Sequence, residues 1–235
     1  MGLFDLFRSK GTHRASAAAS RHPQFAVIDV ETTGLHPQTQ RIVEIAIIRT
    51  DETGAQVDSW STRINPEQPV GATHVHGITD RDVAHAPLFA HVAQAIGSLL
   101  NGLVVVAHHA EFDEAFLRAE FARASMPFPR CSAYCTFEAS HLYLPQLRRR
   151  KLEDCCRALR IRNRKAHSAL GDATAVVQIL QAYLAEDQRT GHAPKGSATH
   201  ALQAVPSGPA HPPVHAPAQI SVRTKPDLAA PAPAS

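Results

Sequence analysis

Cysteine is scarce in this chain: four among 235 residues, at 131, 135, 155 and 156. That is too few for a disulfide framework at this length, and reduced thiols, the default of the cytoplasm, are expected. A structural zinc site is not expected either. Cys131-x-x-x-Cys135 and Cys155-Cys156 lack the paired short spacings such sites use. Long apolar runs are missing as well; none approaches the ~20 residues of a membrane span. The opening Met1-Gly2-Leu3-Phe4-Asp5-Leu6-Phe7 carries an acid and no long apolar core, unlike a secretory signal. Charge of one sign does not dominate: 24 Lys and Arg stand against 21 Asp and Glu, a net +3. That surplus permits a nucleic-acid partner without arguing for one. No internal repeat is visible. These absences exclude a membrane protein, a disulfide-stapled secreted scaffold and a repeat array, and lead to the expectation of a cytoplasmic protein with no membrane partner.

Apolar residues make up 44% of the chain, enough for a sizeable core. Nine of the seventeen prolines lie between 194 and 233, interspersed with Ala, His and Ser. Such a stretch buries too little apolar surface to offset its ordering entropy. Three segments are therefore expected: a flexible N-terminal segment at 1–22, one folded domain at 23–186, and a flexible Pro/Ala-rich tail at 187–235. Within the domain, Phe25-Ala26-Val27-Ile28-Asp29-Val30 reads as a strand buried on both faces. Arg41–Thr50 and about Val57–Ile64 read as a second and third strand joined by the Asp51-Glu52-Thr53-Gly54 turn. Thr79 with Asp82 marks a helix start. Phe89, Val92, Ile96 and Leu99 follow at helical spacing to a stop at Asn101-Gly102. Leu103–Ala107 is another buried strand, and Glu111–Arg123, Lys151–Leu159 and about Ser168–Ala185 read as helices. The class is α/β, around one mixed sheet.

The carboxylates fall in unusual places. Asp29 interrupts the apolar first strand, and Glu31 points to the same side because side chains alternate. Asp113 shares a helix face with Phe116 and Leu117, and Asp172 shares one with Ala175, Val176, Ile179 and Leu180. Each acid thus lies on a face whose other members belong in the core, with no lysine or arginine there to pair them all. An unpaired buried carboxylate costs several kcal/mol, and converging acids raise one another's pKa. Divalent cations, which take carboxylate and phosphate oxygens, answer that problem.

Three ordered motifs carry a resemblance: Asp29-Val30-Glu31-Thr32-Thr33-Gly34-Leu35, His108-His109-Ala110-Glu111-Phe112-Asp113, and His167-Ser168-Ala169-Leu170-Gly171-Asp172. Together with His76-Gly77-Ile78-Thr79 they resemble the DEDDh 3′–5′ exonucleases, most of all the proofreading epsilon subunits of bacterial DNA polymerase III. The resemblance spans roughly 23–184. It implies a ribonuclease H-like fold with a five-stranded mixed sheet flanked by helices. It also implies two ions, Mg²⁺ or Mn²⁺, with Asp29 bridging both, Glu31 and Asp172 completing one site and Asp113 holding the other. His167 would be the general base, since histidine titrates near neutral pH. Five residues turn a helix off the face of Asp172, so His167 belongs on the loop before that helix. His109 stands where the family usually has Asn, and Cys135-Thr136 where many members have Asp-Thr.

The same resemblance makes Thr32, Thr33, Leu35, His76, His108 and Phe112 candidate contacts to the terminal nucleotide, with a core role equally open for Phe112. Arg148–Lys151 and Arg160-x-Arg162-x-Arg164-Lys165 are basic clusters that read either as solvated faces or as electrostatic guides for a strand. Leu3, Asp5, Leu6 and Phe7 resemble the short peptides that dock on a sliding clamp, although the leading Gln is absent. Three functions stay open: an exonuclease on single-stranded or frayed DNA in replication proofreading or repair, with a sliding clamp or DNA polymerase subunit as its candidate partner; the same chemistry on RNA ends or short oligoribonucleotides; and a non-catalytic polymerase-associated subunit.

Overall fold

The structure, a computed structural model, describes residues 22–203. Its centre is β1 (Phe25–Thr32), whose first four side chains are at most 1% exposed. Burying each Phe, Val or Ile contributes roughly 1.5–3 kcal/mol, which anchors the strand before its acids begin. Strand β2 (Ile42–Thr50) pairs with it antiparallel, and β3 (Gln56–Arg63) extends the meander. Two short parallel strands, β4 (Val104–Ala107) and β5 (Ser132–Cys135), complete a five-stranded sheet in the order β3-β2-β1-β4-β5. This is the expected five-stranded mixed sheet.

Alternation along β1 divides the core in two. Phe25 and Val27 face α7 (Ala169–Thr190), packing with Val176, Ile179, Leu180 and Tyr183. Ala26, Ile28 and Val30 face α3 (Phe89–Leu100) and α4 (Ala110–Arg123), against Phe89, Ile96, Phe116 and Phe121. Asp29 and Glu31 therefore continue the α7 face beyond its apolar part. Between β3 and α3 lie two one-turn helices, α1 (Thr73–His76) and α2 (Asp80–Val83). The latter is opened by the anticipated capping box between Thr79 and Asp82. Helices α5 (Thr136–Tyr143) and α6 (Leu152–Ala158) close the α7 side.

The ordered unit extends past the expected boundary at 186. Helix α7 runs to Thr190, and α8 (Ala198–Gln203) packs back on the domain. The Tyr143 hydroxyl donates to Asp187 Oδ1 at 2.8 Å and accepts from Ala198 N at 3.0 Å. Asp187 Oδ2 accepts from Thr199 N at 3.0 Å. Polar anchors act together with apolar contacts in seating α8, since Ala198 is buried in the core and Ala201 and Leu202 pack against it. So short a helix beside a Pro-rich stretch leaves too little pattern for a composition argument to find. Residues 204–235 and the expected docking residues Leu3, Asp5, Leu6 and Phe7 lie outside the described residues. Among the described residues, no helix is long and apolar enough to cross a membrane.

Candidate active site

Four acids from three distant stretches meet at the C-terminal end of β1. The β1–β2 register shifts between Glu31 and Thr32, a bulge of the kind that re-aims side chains at a strand end. Asp172 arrives from the first turn of α7, after Ser168, whose side chain caps Gly171 N. Its Oδ1 accepts from Asn163 Nδ2 at 2.5 Å and its Oδ2 from the His167 amide at 3.0 Å. One oxygen from each of Asp29, Glu31 and Asp172 lies within 4.8 Å of the others. Asp113, in the first turn of α4, is 4% exposed and accepts from the Val30 amide.

No arginine or lysine pairs with these four acids among the described residues, and their ionisation shows it. Burial raises Asp29 well above the ordinary carboxylate range, helped by Asp113, Asp172, Glu31 and Glu44. Burial, then Asp172 and Glu44, pushes Glu31 up to about 7. Burial pushes Asp113 up to about 8 despite the amides that hydrogen-bond it. Asp172 is raised by burial, with Asn163 and the His167 amide opposing. Carboxylates forced together with no cationic side chain fit divalent cations, whose charge would bring them back to the ionised form.

The acids line an open cleft of about 400 Å³ shared with Val30, His108, His109, Phe112 and His167. His167 is exposed on the loop before α7, as its spacing to Asp172 requires, and takes a left-handed φ of 63°. His109, the first departure from the family motif, caps α4 with a left-handed φ of 73° and stacks on Phe137 with ring centroids 3.9 Å apart. Asn and His are among the few side chains that tolerate this conformation, so the replacement keeps the backbone turn. In the second departure, Thr136 is the residue that ties the site: its Oγ1 donates to the Ala107 carbonyl at 3.2 Å and lies 3.0 Å from His108 Nδ1.

The candidate contacts divide. His108 lines the cleft, but both ring nitrogens are engaged, Nδ1 by Thr136 and Nε2 by the Arg150 carbonyl at 2.8 Å. Burial lowers it to about 4. Phe112 lines the cleft and also packs on Phe116. Thr33 has its hydroxyl saturated by Gln40, Arg41 N and Gln68, and the Thr32 hydroxyl donates to Gly34 O at 2.7 Å. Both threonines shape the loop after β1. That loop leaves Leu35 76% exposed, beside the acids in sequence. His76 does not line the cleft; its Nδ1 accepts from Ile78 N.

Two residues escaped the sequence argument. Glu44 lies directly opposite Glu31 across β1–β2, and its Oε2 accepts from Ala169 N, the first amide of α7, at 2.8 Å. Asn163 orients Asp172. The strand alternation Ile42, Glu44, Ala46 was a signal for the first; nothing in the sequence marked the second.

Comparison with known proteins follows this geometry. The profile of the exonuclease family RNase T matches residues 26–180. The chain belongs to that family. The 3′-5′ exonuclease DinG of Bacillus subtilis is 33% identical to this exonuclease domain over 153 residues, covering 64% of the chain and 16% of DinG. DNA polymerase III subunit epsilon of Treponema pallidum is 28% identical over 180 residues, covering 74% of the chain and 83% of the relative. Among solved structures, E. coli exonuclease I in complex with a dT13 oligonucleotide superimposes with a TM-score of 0.63 at 21% identity, over 71% of the chain and 42% of exonuclease I. That likeness establishes the ribonuclease H-like fold.

Proposed function

We propose that this exonuclease domain hydrolyses the terminal phosphodiester of single-stranded or frayed DNA from the 3′ end, releasing nucleoside monophosphates. The observation that carries the reading is the convergence of Asp29, Glu31, Asp113 and Asp172 with His167 in one cleft. The names of the relatives support direction and polymer: DinG is a 3′-5′ exonuclease, epsilon belongs to a DNA polymerase, and exonuclease I binds an oligothymidylate.

Asp29, Glu31 and Asp172 would hold one divalent ion and Asp29 with Asp113 a second, Mg²⁺ or Mn²⁺. Bound there, such ions supply a more acidic water and neutralise the charge on the phosphate and the leaving oxygen. The rest falls to the chain's own groups. His167, exposed at the rim, takes the proton of the attacking water as that oxygen bonds to phosphorus; the P–O3′ bond breaks and its electron pair leaves on the 3′ oxygen. His108 is excluded as the base, since both its nitrogens are engaged inside the protein. Asn163 and the His167 amide hold Asp172, one at each carboxylate oxygen. Leu35, Phe112 and the backbone after β1 are left to seat the terminal nucleotide.

We extend the reading to replication proofreading or repair in the cytoplasm beside a DNA polymerase subunit, with the N-terminal peptide docking on a sliding clamp. End-labelled DNA and RNA oligonucleotides with Mg²⁺, Mn²⁺ or chelator test the core of it. The wild type should shorten DNA from the 3′ end only with metal, and Asp29→Ala and Asp172→Ala should abolish this with circular dichroism unchanged. Cleavage by either variant at the wild-type rate overturns the assignment. Faster loss of RNA moves the substrate to RNA, and no cleavage of either polymer by folded wild type leaves a non-catalytic subunit.

A further inference from the structure

Residues 148–165 hold nine basic and two acidic side chains, a surplus of seven charges in a chain whose total is +3. The rest of the chain is therefore acidic. Eight of the nine basic residues are exposed. Arg149 and Arg157 pair with Glu153 and Asp154. Arg148, Lys151, Arg160, Arg162, Arg164 and Lys165 make no ion pair among the described residues.

This basic belt is fastened to the cleft at both ends. At one end, the Arg150 carbonyl is the acceptor for His108 Nε2. At the other, exposure alternates from Arg160 to Arg164: Ile161 packs on the core, Asn163 bonds Asp172, and the three arginines face solvent. The belt also runs hard against α7. A Cβ at Gly171 would stand 2.0 Å from the Lys165 carbonyl oxygen, so only glycine admits this approach.

We propose that the belt is a second binding surface, for the internucleotide phosphates of the strand that leads away from the scissile bond. The proposal rests on the exonuclease reading, because it takes the cleft as the place where that strand ends. The acids at the cleft offer a polyanion no attraction of their own, and a flanking positive track supplies what brings one in. Unpaired guanidinium groups, whose planar forks match phosphate oxygens, suit this partner better than a single compact anion. The surface reads backbone and not bases.

The test compares full-length wild type with the Arg160→Gln/Arg162→Gln/Arg164→Gln triple variant. Anisotropy of a labelled oligothymidylate about a dozen nucleotides long, in chelator, reads binding without turnover. Loss of three phosphate contacts should weaken binding about tenfold at low salt and flatten the plot of log K against log salt by ~2. The ratio of kcat/KM on this oligonucleotide to kcat/KM on a dinucleotide should fall in parallel. Arg148→Gln/Lys151→Gln, at the other end of the belt, is the second variant and should flatten the slope by ~1.4. Unchanged affinity, slope and ratio in both variants overturns the proposal and leaves the belt to an acidic protein surface. If wild type binds in this manner but cleaves nothing, the belt stands and the exonuclease reading falls.

Discussion

Asp113→Asn should stabilise the metal-free protein near pH 8 and destabilise it by ~1–3 kcal/mol near pH 4, where only the buried NH₂ group counts. Asp113 is 4% exposed, and burial pushes its carboxyl from 3.8 up to about 8. Between those values the folded state binds more protons than the unfolded one, so unfolding free energy falls as pH rises. The contribution is fully present below pH 3.8 and lost as pH climbs through about 8. At about 1.36 kcal/mol for each pKa unit, the swing is on the order of 5 kcal/mol. Asparagine carries no charge and keeps an oxygen for the Val30 amide, while its buried NH₂ group gives back ~1–3 kcal/mol. A net gain of ~3 kcal/mol corresponds to roughly 6–12 °C in Tm for a chain of this size. Thermal melts in chelator across pH 4 to 8.5 measure it. Saturating Mg²⁺ should reverse the order, because the wild type then gains binding energy that the variant lacks. A difference between the two proteins that stays constant with pH refutes the account of the site as crowded, reluctant carboxylates.

Three further outcomes are expected. Asn163→Ala frees Asp172 to rotate and should weaken Mg²⁺ binding by about 10–100-fold, read by calorimetric titration; unaltered affinity shows that the Asn163 bond does not orient the acid. Glu44→Ala leaves the first amide of α7 without its acceptor and should lower stability by ~1–3 kcal/mol. Glu44→Gln, which retains an acceptor oxygen, should restore most of that loss in denaturant titrations, and equal losses in both would assign the effect to charge. Tyr143→Phe removes both hydrogen bonds made by the hydroxyl, so amides 198–203 should exchange with solvent faster while those of β1 do not. Unchanged protection in α8 would mean that the two bonds do not hold it.

Much of the fold was readable from local pattern. The doubly apolar β1, the meander after it, the capping box at Thr79 and the periodicity of α3 and α7 all arise from short-range geometry, and each forms near its expected bounds. The four-residue β5 did not announce itself, because Ser132–Cys135 carries too few side chains to show a period. The docking of α8 was hidden for a different reason: it depends on Tyr143 and Asp187, which lie 55 and 11 residues before Ala198.

Within the site, the order of residues along the chain was enough to nominate the acids and to put His167 on a loop, since strand alternation and helix pitch decide which side chains share a face. Contact across the molecule decided the rest. Whether Thr33 or His108 is free to meet a nucleotide depends on partners seven to forty-two residues away, which claim their polar atoms. That Glu44 faces Glu31, and that Asn163 reaches Asp172, follows from strand register and loop path. Hydrogen-bonding groups saturate, so a polar side chain's role is settled by whatever reaches it first in three dimensions, and no local pattern records that.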